Sequence, residues 1–251
     1  MSSNGVALVT GAAQGIGRAI ALRLADDGFD VAVNDISVST ELQNLVKEIQ
    51  ERGRVSSIHA ADVSQDAQVK EMIEAVVQTH GSLDVMVANA GVAGPPGLNI
   101  ADVTLEEWDR IMNINARGTF LSYKYAGLQM VKQGRGGRII GASSLAGKQG
   151  GVNQWAYTAS KFAVRGLTQA AAIEFGSHGI TVNAYAPGLI ETPMMFGSLP
   201  TERQDLLKAQ TPLKTFGVPT DIADLVSFIA SKESKFITGQ SISINGGLFS
   251  D

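Results

Sequence analysis

No cysteine occurs among the 251 residues, which excludes a disulfide framework, a thiol nucleophile and thiolate metal ligation, and is compatible with a reducing compartment. Histidine is scarce. His59, His80 and His178 stand apart, none three to five residues from another, so they read as isolated solvated or capping side chains and no metal site is expected. Long apolar runs are missing too: nothing approaches the roughly 20 residues needed to cross a bilayer. The start, Met1 to Gly5, has neither the basic region nor the apolar stretch of a signal peptide. A soluble, cytoplasmic protein without membrane contact is expected. Basic blocks are also absent, with 20 Lys and Arg scattered against 24 Asp and Glu for a net charge of -4, and this argues against nucleic-acid binding. No repeat, low-complexity tract or Pro/Ser-rich linker divides the chain. With 44% hydrophobic and 18% charged residues there is ample material for one core, so residues 1–251 are expected to form a single domain.

What is present is alternation. Short β-branched apolar runs at Val6 to Thr10, Asp30 to Asn34, Val55 to Ala60, Val85 to Ala88, Arg138 to Ala142, Thr181 to Ala186 and Ser241 to Ile244 predict seven strands. Helical stretches begin near Gly15, Thr40, Gln65, Thr104, Tyr157 and Thr220, with N-cap chemistry at Thr104 followed by Glu107 and at Thr220 followed by Asp221, and Pro219 marking the last start. Runs such as Val6-Ala7-Leu8-Val9 and Val85-Met86-Val87 are apolar at every position, as expected of strands covered by helices on both faces. The pattern predicts an α/β, doubly wound, Rossmann-type sheet of seven mainly parallel strands. Residues 187–217, rich in Gly, Pro and Met with weak periodicity, read as a mobile segment covering a substrate.

The first strand runs into Thr10-Gly11-Ala12-Ala13-Gln14-Gly15-Ile16-Gly17 and then an amphipathic helix. Glycines at 11, 15 and 17 allow backbone N–H groups to approach a pyrophosphate at a helix N-terminus, although their spacing departs from G-x-G-x-x-G. Eighteen residues beyond Gly17, Asp35 ends the second strand, where a carboxylate accepts from the adenosine ribose hydroxyls and repels a 2′-phosphate. Gln14 offers that phosphate no charge, so NAD(H) is favoured over NADP(H), with Arg18 the one side chain able to supply compensating charge.

Tyr157 and Lys161 stand four apart at the opening of a helix, hence on one face and one turn apart. A free phenol has a pKa of about 10, and a neighbouring ammonium favours the phenolate and makes it a usable base. Ser144, thirteen residues earlier at a strand end, is placed to hydrogen-bond a substrate oxygen opposite the tyrosine, with Ser143 as the alternative serine.

Taken with Asp62-Val63, Asn89-Ala90-Gly91 and Asn115 in Asn-Ala-Arg-Gly-Thr-Phe, these elements resemble the short-chain dehydrogenase/reductase family in order and spacing over nearly the whole chain. The resemblance implies an NAD(P)-dependent alcohol dehydrogenase or ketone reductase. Tyr157 would be its general acid/base, Ser144 and Lys161 its partners, and Asn115 would kink a helix and position, through its backbone, a water in a proton relay. It further implies that Asp62 and Val63 hold the adenine, that Asn89, Ala90 and Gly91 line the cofactor cleft, and that Pro187, Gly188, Ile190 and Thr192 secure the nicotinamide. Gly11, Gln14, Gly15, Ile16 and Gly17 would seat the pyrophosphate. Asp62 as a helix-entry cap, Asn89 as a turn former and Asn115 as a buried structural amide are the alternatives.

Substrate walls are expected in 148–155 and 189–199, with Ser144, Leu145, Gln149, Gln154, Trp155, Met194 and Met195 as pocket residues. The stretch Ser160 to Gln169 is similar to acetoin and diacetyl reductases (butanediol dehydrogenases), implying a small hydroxyketone or vicinal diol; polyols, other secondary alcohols and a 3-oxoacyl thioester are alternatives. A catalytically silent nucleotide-binding scaffold is the non-enzyme alternative, which the complete Ser144, Tyr157 and Lys161 set opposes. Apolar, alanine-rich faces over 104–132 and 157–177 suggest a helix-to-helix subunit interface, and by resemblance a homotetramer. The terminal Asn245 to Phe249 reads either as a reach toward a neighbour or as a simple turn.

Overall fold

A computed structural model describes residues 3–95, 97–198 and 201–250. Seven parallel strands, β1 (Val6–Thr10), β2 (Asp30–Asp35), β3 (Ser56–Ala60), β4 (Val85–Ala88), β5 (Gly137–Ala142), β6 (Ile180–Pro187) and β7 (Ser241–Ile244), form one sheet in the order β3-β2-β1-β4-β5-β6-β7. The chain winds outward from β1 to β3, crosses back, and then winds the other way from β4 to β7. That reversal lies between β1 and β4, whose pairing aligns Ala7 with Val85 and Val9 with Val87, and it opens a crevice at the carboxyl ends of these strands.

Alternation along each strand divides the core between two faces. Ala7, Val9, Val31, Val33, Val85, Val87 and Ile140 point to the side covered by α1 (Gly15–Asp26), α2 (Thr40–Glu51) and α9 (Pro219–Ala230). Val6, Leu8, Ala32, Met86, Ile139 and Val182 point to the side covered by α3 (Asp66–His80), α5 (Gly118–Gln133) and α6 (Trp155–Phe175). Both faces are dry, which is why these strands lack a polar alternation.

Helix starts follow local chemistry. Ser39 accepts from the Leu42 N–H at 3.2 Å ahead of α2, and Thr104 from the Glu107 N–H at 3.2 Å ahead of α4 (Leu105–Ile111), each stabilising its helix by about 1 kcal/mol. At α9 the structure corrects the sequence expectation. Val218, not Thr220, is the N-cap, Pro219 takes the first helical position, and the Asp221 carboxylate returns to accept the Val218 N–H at 2.7 Å. The helix expected over 104–132 is interrupted: residues Met112–Arg117 form a π-helical turn between α4 and α5. The 187–217 segment holds two helices, α7 (Pro193–Ser198) and α8 (Thr201–Gln210), and a single bridge pairs Ile190 with Gly217. Among the described residues no helix is long and apolar enough to cross a membrane.

His59 and His80 are not isolated as the sequence suggested. Edge strand β3 and the end of α3 bring both Nε2 atoms to the Ser57 hydroxyl, at 2.8 and 2.7 Å. Burial pushes both imidazoles below their ordinary range, with the neighbouring histidine adding to the effect on His59 and Asp30 opposing it for His80. Among the described residues no group of three or more His, Asp or Glu is placed to hold a metal ion.

Candidate active site

The crevice is a cleft of about 640 Å³ that runs from Asp35 past the glycine turn to Tyr157 and on to Trp155 and Met194. Every residue named for cofactor binding or the substrate pocket borders it, whereas Asn115 and, within the expected walls, Lys148, Glu191 and 196–198 do not. Leu199, expected in a wall, lies outside the described residues.

The turn after β1 is built for close backbone approach. Gly15 adopts φ +56°, a left-handed conformation that strains other residues, and a Cβ on Gly17 would stand 2.3 Å from the Gly11 carbonyl oxygen. Asn89 holds this turn from the end of β4, donating its Nδ2 to the carbonyls of Thr10 (2.8 Å) and Gly11 (3.1 Å), while the Thr10 hydroxyl accepts the Asn89 and Ala90 N–H groups. The next link has no local sequence signal. Tyr185, fully buried on β6, passes beside Ala142 and donates its hydroxyl to Asn89 Oδ1 at 2.8 Å. A bond between residues 96 apart leaves no local pattern, and the tyrosine within β6 is the one signal for it.

Asp35 closes the other end. Its carboxylate accepts the N–H groups of Ala13 (3.1 Å) and Ile36 (2.9 Å), which fixes it at the cleft rim. Arg18, the side chain able to offset it, is ion-paired with Glu48 on α2. Asp62 Oδ1 accepts the Ser64 N–H at 2.9 Å, so it caps the turn into α3 and borders the cleft at once.

At the opposite end Tyr157, on the first turn of α6, is hydrogen-bonded to the Ser144 side chain. Ser144 follows β5 and also accepts the Ala146 N–H at 3.1 Å. Ser143 donates to the Lys161 carbonyl at 3.1 Å, and Ser144 is the serine bonded to Tyr157. Burial pushes the Tyr157 phenol above 10, outweighing the lowering by Ser144. The expected ammonium effect is not realised in this arrangement: Lys161 Nζ lies 5.5 Å from the ring centroid of Tyr157 and donates to the Ala142 carbonyl at 2.8 Å. The phenol is therefore held protonated at neutral pH, the form that donates.

Burial also pushes the Lys161 ammonium down from 10.5 to about 8. Between those values the folded chain binds fewer protons than the unfolded chain, so stability rises with pH across the window. The penalty in force below pH 8 is about 3 kcal/mol. Lys161→Met removes it but leaves the Ala142 carbonyl unpaired, a cost of about 1–3 kcal/mol. Urea unfolding is expected to find the variant more stable by about 1 kcal/mol at neutral pH, with a flatter rise toward pH 10. Equal slopes for the two proteins would contradict the assignment.

Asn115 is completely buried in the π-helical turn. Its amide accepts the Val92 N–H (2.8 Å) and donates to the Val92 carbonyl (2.9 Å) and to Ser160 Oγ (3.0 Å), which in turn donates to the Tyr157 carbonyl at 2.7 Å. Its side chain thus supports the site from behind, with both amide N–H donors and the carbonyl oxygen engaged there. Ser160 is a link the sequence did not reveal.

Comparison with known proteins agrees with this geometry. Residues 11–249 match the family described as enoyl-(acyl carrier protein) reductase. A short-chain dehydrogenase/reductase from Armillaria gallica is 51% identical, covering 100% of this chain and 98% of that protein. The 3-oxoacyl-[acyl-carrier-protein] reductase FabG of Staphylococcus epidermidis is 44% identical, covering 98% and 99%. The crystal structure of a short-chain type dehydrogenase/reductase from Mycobacterium marinum superposes with a TM-score of 0.92 at 35% identity, covering 99% of this chain and 97% of that one.

Proposed function

The chain belongs to the short-chain dehydrogenase/reductase family, and from that premise we propose that it interconverts a ketone and a secondary alcohol with NAD(H), Tyr157 being the proton-transferring acid/base. The observation that carries this is the pairing of the Tyr157 and Ser144 hydroxyls at the end of a cleft whose other end is the glycine turn and Asp35.

The residues fit a dinucleotide. The Gly17 backbone leaves no room for a Cβ, the α1 N-terminus faces the pyrophosphate position, and Asp35 suits two ribose hydroxyls. A bound nicotinamide supplies the hydride in reduction and accepts it in oxidation. The chain does the rest. Ser144 and Tyr157 hold the substrate oxygen, and as the carbonyl becomes an alcohol the proton on Tyr157 Oη moves to that oxygen. In the oxidative direction Oη takes the proton back. Lys161, which borders the cleft one turn beyond Tyr157, would hold the ribose of a bound dinucleotide, and the Ser160–Asn115 chain keeps the first turn of α6 in place. Two hydroxyls addressing one oxygen favour carbonyl chemistry and oppose a silent scaffold.

NAD(H) is preferred because a 2′-phosphate would meet the Asp35 carboxylate while Arg18 is engaged by Glu48. Small hydroxyketones of the acetoin type draw little support from 160–169. Beyond Lys161 that stretch leaves the cleft, Thr168 bonding Tyr123 at 2.9 Å and Phe162 facing outward. A 3-oxoacyl thioester is the second reading, favoured by the FabG relative. We place the protein in the cytoplasm as a homotetramer, assembled through the α5 and α6 faces that expose Phe120, Leu128 and Ile173, with residues 187–217 covering the substrate.

The test is a panel of neutral ketones, diacetyl and a 3-oxoacyl thioester with NADH and NADPH. Ketone-dependent NADH oxidation is expected, with NADPH at least about tenfold poorer in kcat/KM, and Asp35→Asn, which keeps an acceptor but loses the charge, closing most of that gap. Oxidation of neither cofactor, or a native preference for NADPH, would contradict the reading.

A further inference from the structure

Resting on the carbonyl–alcohol reading above, we propose that the substrate is uncharged and predominantly apolar, larger than a four-carbon diol, and that the Trp155 indole sets this preference. The walls beyond Tyr157 come from three separate parts of the chain. Leu98 and Val103 precede α4, Val152 and Trp155 lead into α6, and Met194 lies on α7. Val152 is 80% exposed, Trp155 45% and Met194 44%, so apolar surface stands in water around one mouth. Exposed apolar surface rimming a cleft is what a bound apolar ligand covers, and a four-carbon diol is too small to reach all of it.

Charge points the same way. The charged side chains bordering the whole cleft, among the described residues, are Asp35 and Asp62 at the adenosine end, Lys161 beside Tyr157, and Glu107. Both Glu107 oxygens are taken by Arg110, at 2.8 and 3.1 Å. No arginine borders the cleft, and a carboxylate or phosphate entering the far end would find no cation but Lys161, already bonded to Ala142. A carrier-bound thioester brings the phosphate of its pantetheine arm to this mouth. There it would find the Glu107–Arg110 pair already satisfied and no cation beyond Lys161 among the cleft-lining residues to receive it. The amides of Gln149 and Gln154 offer neutral partners on one side, enough for one further hydroxyl or carbonyl.

Trp155 is the first residue of α6, two before Tyr157, and both border the cleft, so the helix start sets the spacing of their backbones. The experiment is a series of straight-chain methyl ketones from butanone to nonanone with NADH, joined by a bicyclic ketone, diacetyl, and one 3-oxoacyl group carried either on neutral N-acetylcysteamine or on coenzyme A. We expect kcat/KM to climb about fourfold per added methylene until the wall is covered. The coenzyme A thioester should be at least about tenfold poorer than its neutral counterpart. Trp155→Ala should flatten the climb and Trp155→Phe restore most of it, with NADH affinity reporting that both variants are folded. A flat series with turnover intact, or diacetyl or the coenzyme A thioester as best substrate, overturns the substrate class alone. NADH binding without oxidation by any carbonyl overturns the reading of the reaction, and this one with it.

Discussion

Tyr157→Phe is expected to lower turnover by about a hundredfold to ten-thousandfold while leaving NADH affinity nearly unchanged. The substitution removes one hydroxyl from a half-buried ring at the cleft wall and leaves its packing intact, so the loss reports the proton and not the fold. In the native arrangement burial keeps Oη protonated, and the Ser144 bond holds it at the cleft. Phenylalanine offers no proton there, and Ser144 alone polarises the carbonyl without neutralising the developing alkoxide. Steady-state assays with a neutral ketone, together with NADH titration by fluorescence, separate the two effects. Turnover within a few fold of wild type would remove Tyr157 from the chemistry.

Gly17→Ala is expected to act at the other end of the cleft, weakening NADH binding by about a hundredfold or more and destabilising the fold by about 1–3 kcal/mol. The added Cβ would stand 2.3 Å from the Gly11 carbonyl oxygen and 2.5 Å from Asn89 Nδ2. One neighbour is backbone, and the other is held by Thr10, Gly11 and Tyr185, so neither yields cheaply. The turn must open, and the N–H groups aimed at the pyrophosphate lose their alignment. Isothermal titration with NADH and a urea melt measure the two losses. Native affinity in the variant would mean that the turn does not carry the dinucleotide.

The fold was legible where strands covered on both faces carry unbroken apolar runs, which set β1 and β4 to their exact ends, and where the Ser-Ile alternation of the half-buried edge strand β7 marks its limits. Elements whose limits depend on tertiary contacts were not. The start of α6 at Trp155 has no capping side chain to announce it, and α8 is polar almost throughout, leaving no apolar stripe to read. The π-helical turn around Asn115 comes from hydrogen bonds to Val92 and Ser160, residues distant in sequence. The same reason hid the Ser57-centred histidine pair and the Tyr185–Asn89 bond. The site itself was legible where backbone geometry demands glycine or where one helical turn separates two side chains. The walls from Leu98 and Val103 were not, since an irregular segment shows no periodicity until it folds against α4 and α6.

The most direct measurement is a crystal structure of the complex with NADH and a slowly reduced ketone. The dinucleotide is expected on the Gly11 to Gly17 turn, and the ketone oxygen about 2.6–3.2 Å from both the Tyr157 and Ser144 hydroxyls, with the reacting carbon facing the nicotinamide. A ketone oxygen bonded elsewhere, or a Tyr157 hydroxyl turned out of the cleft, would contradict this arrangement.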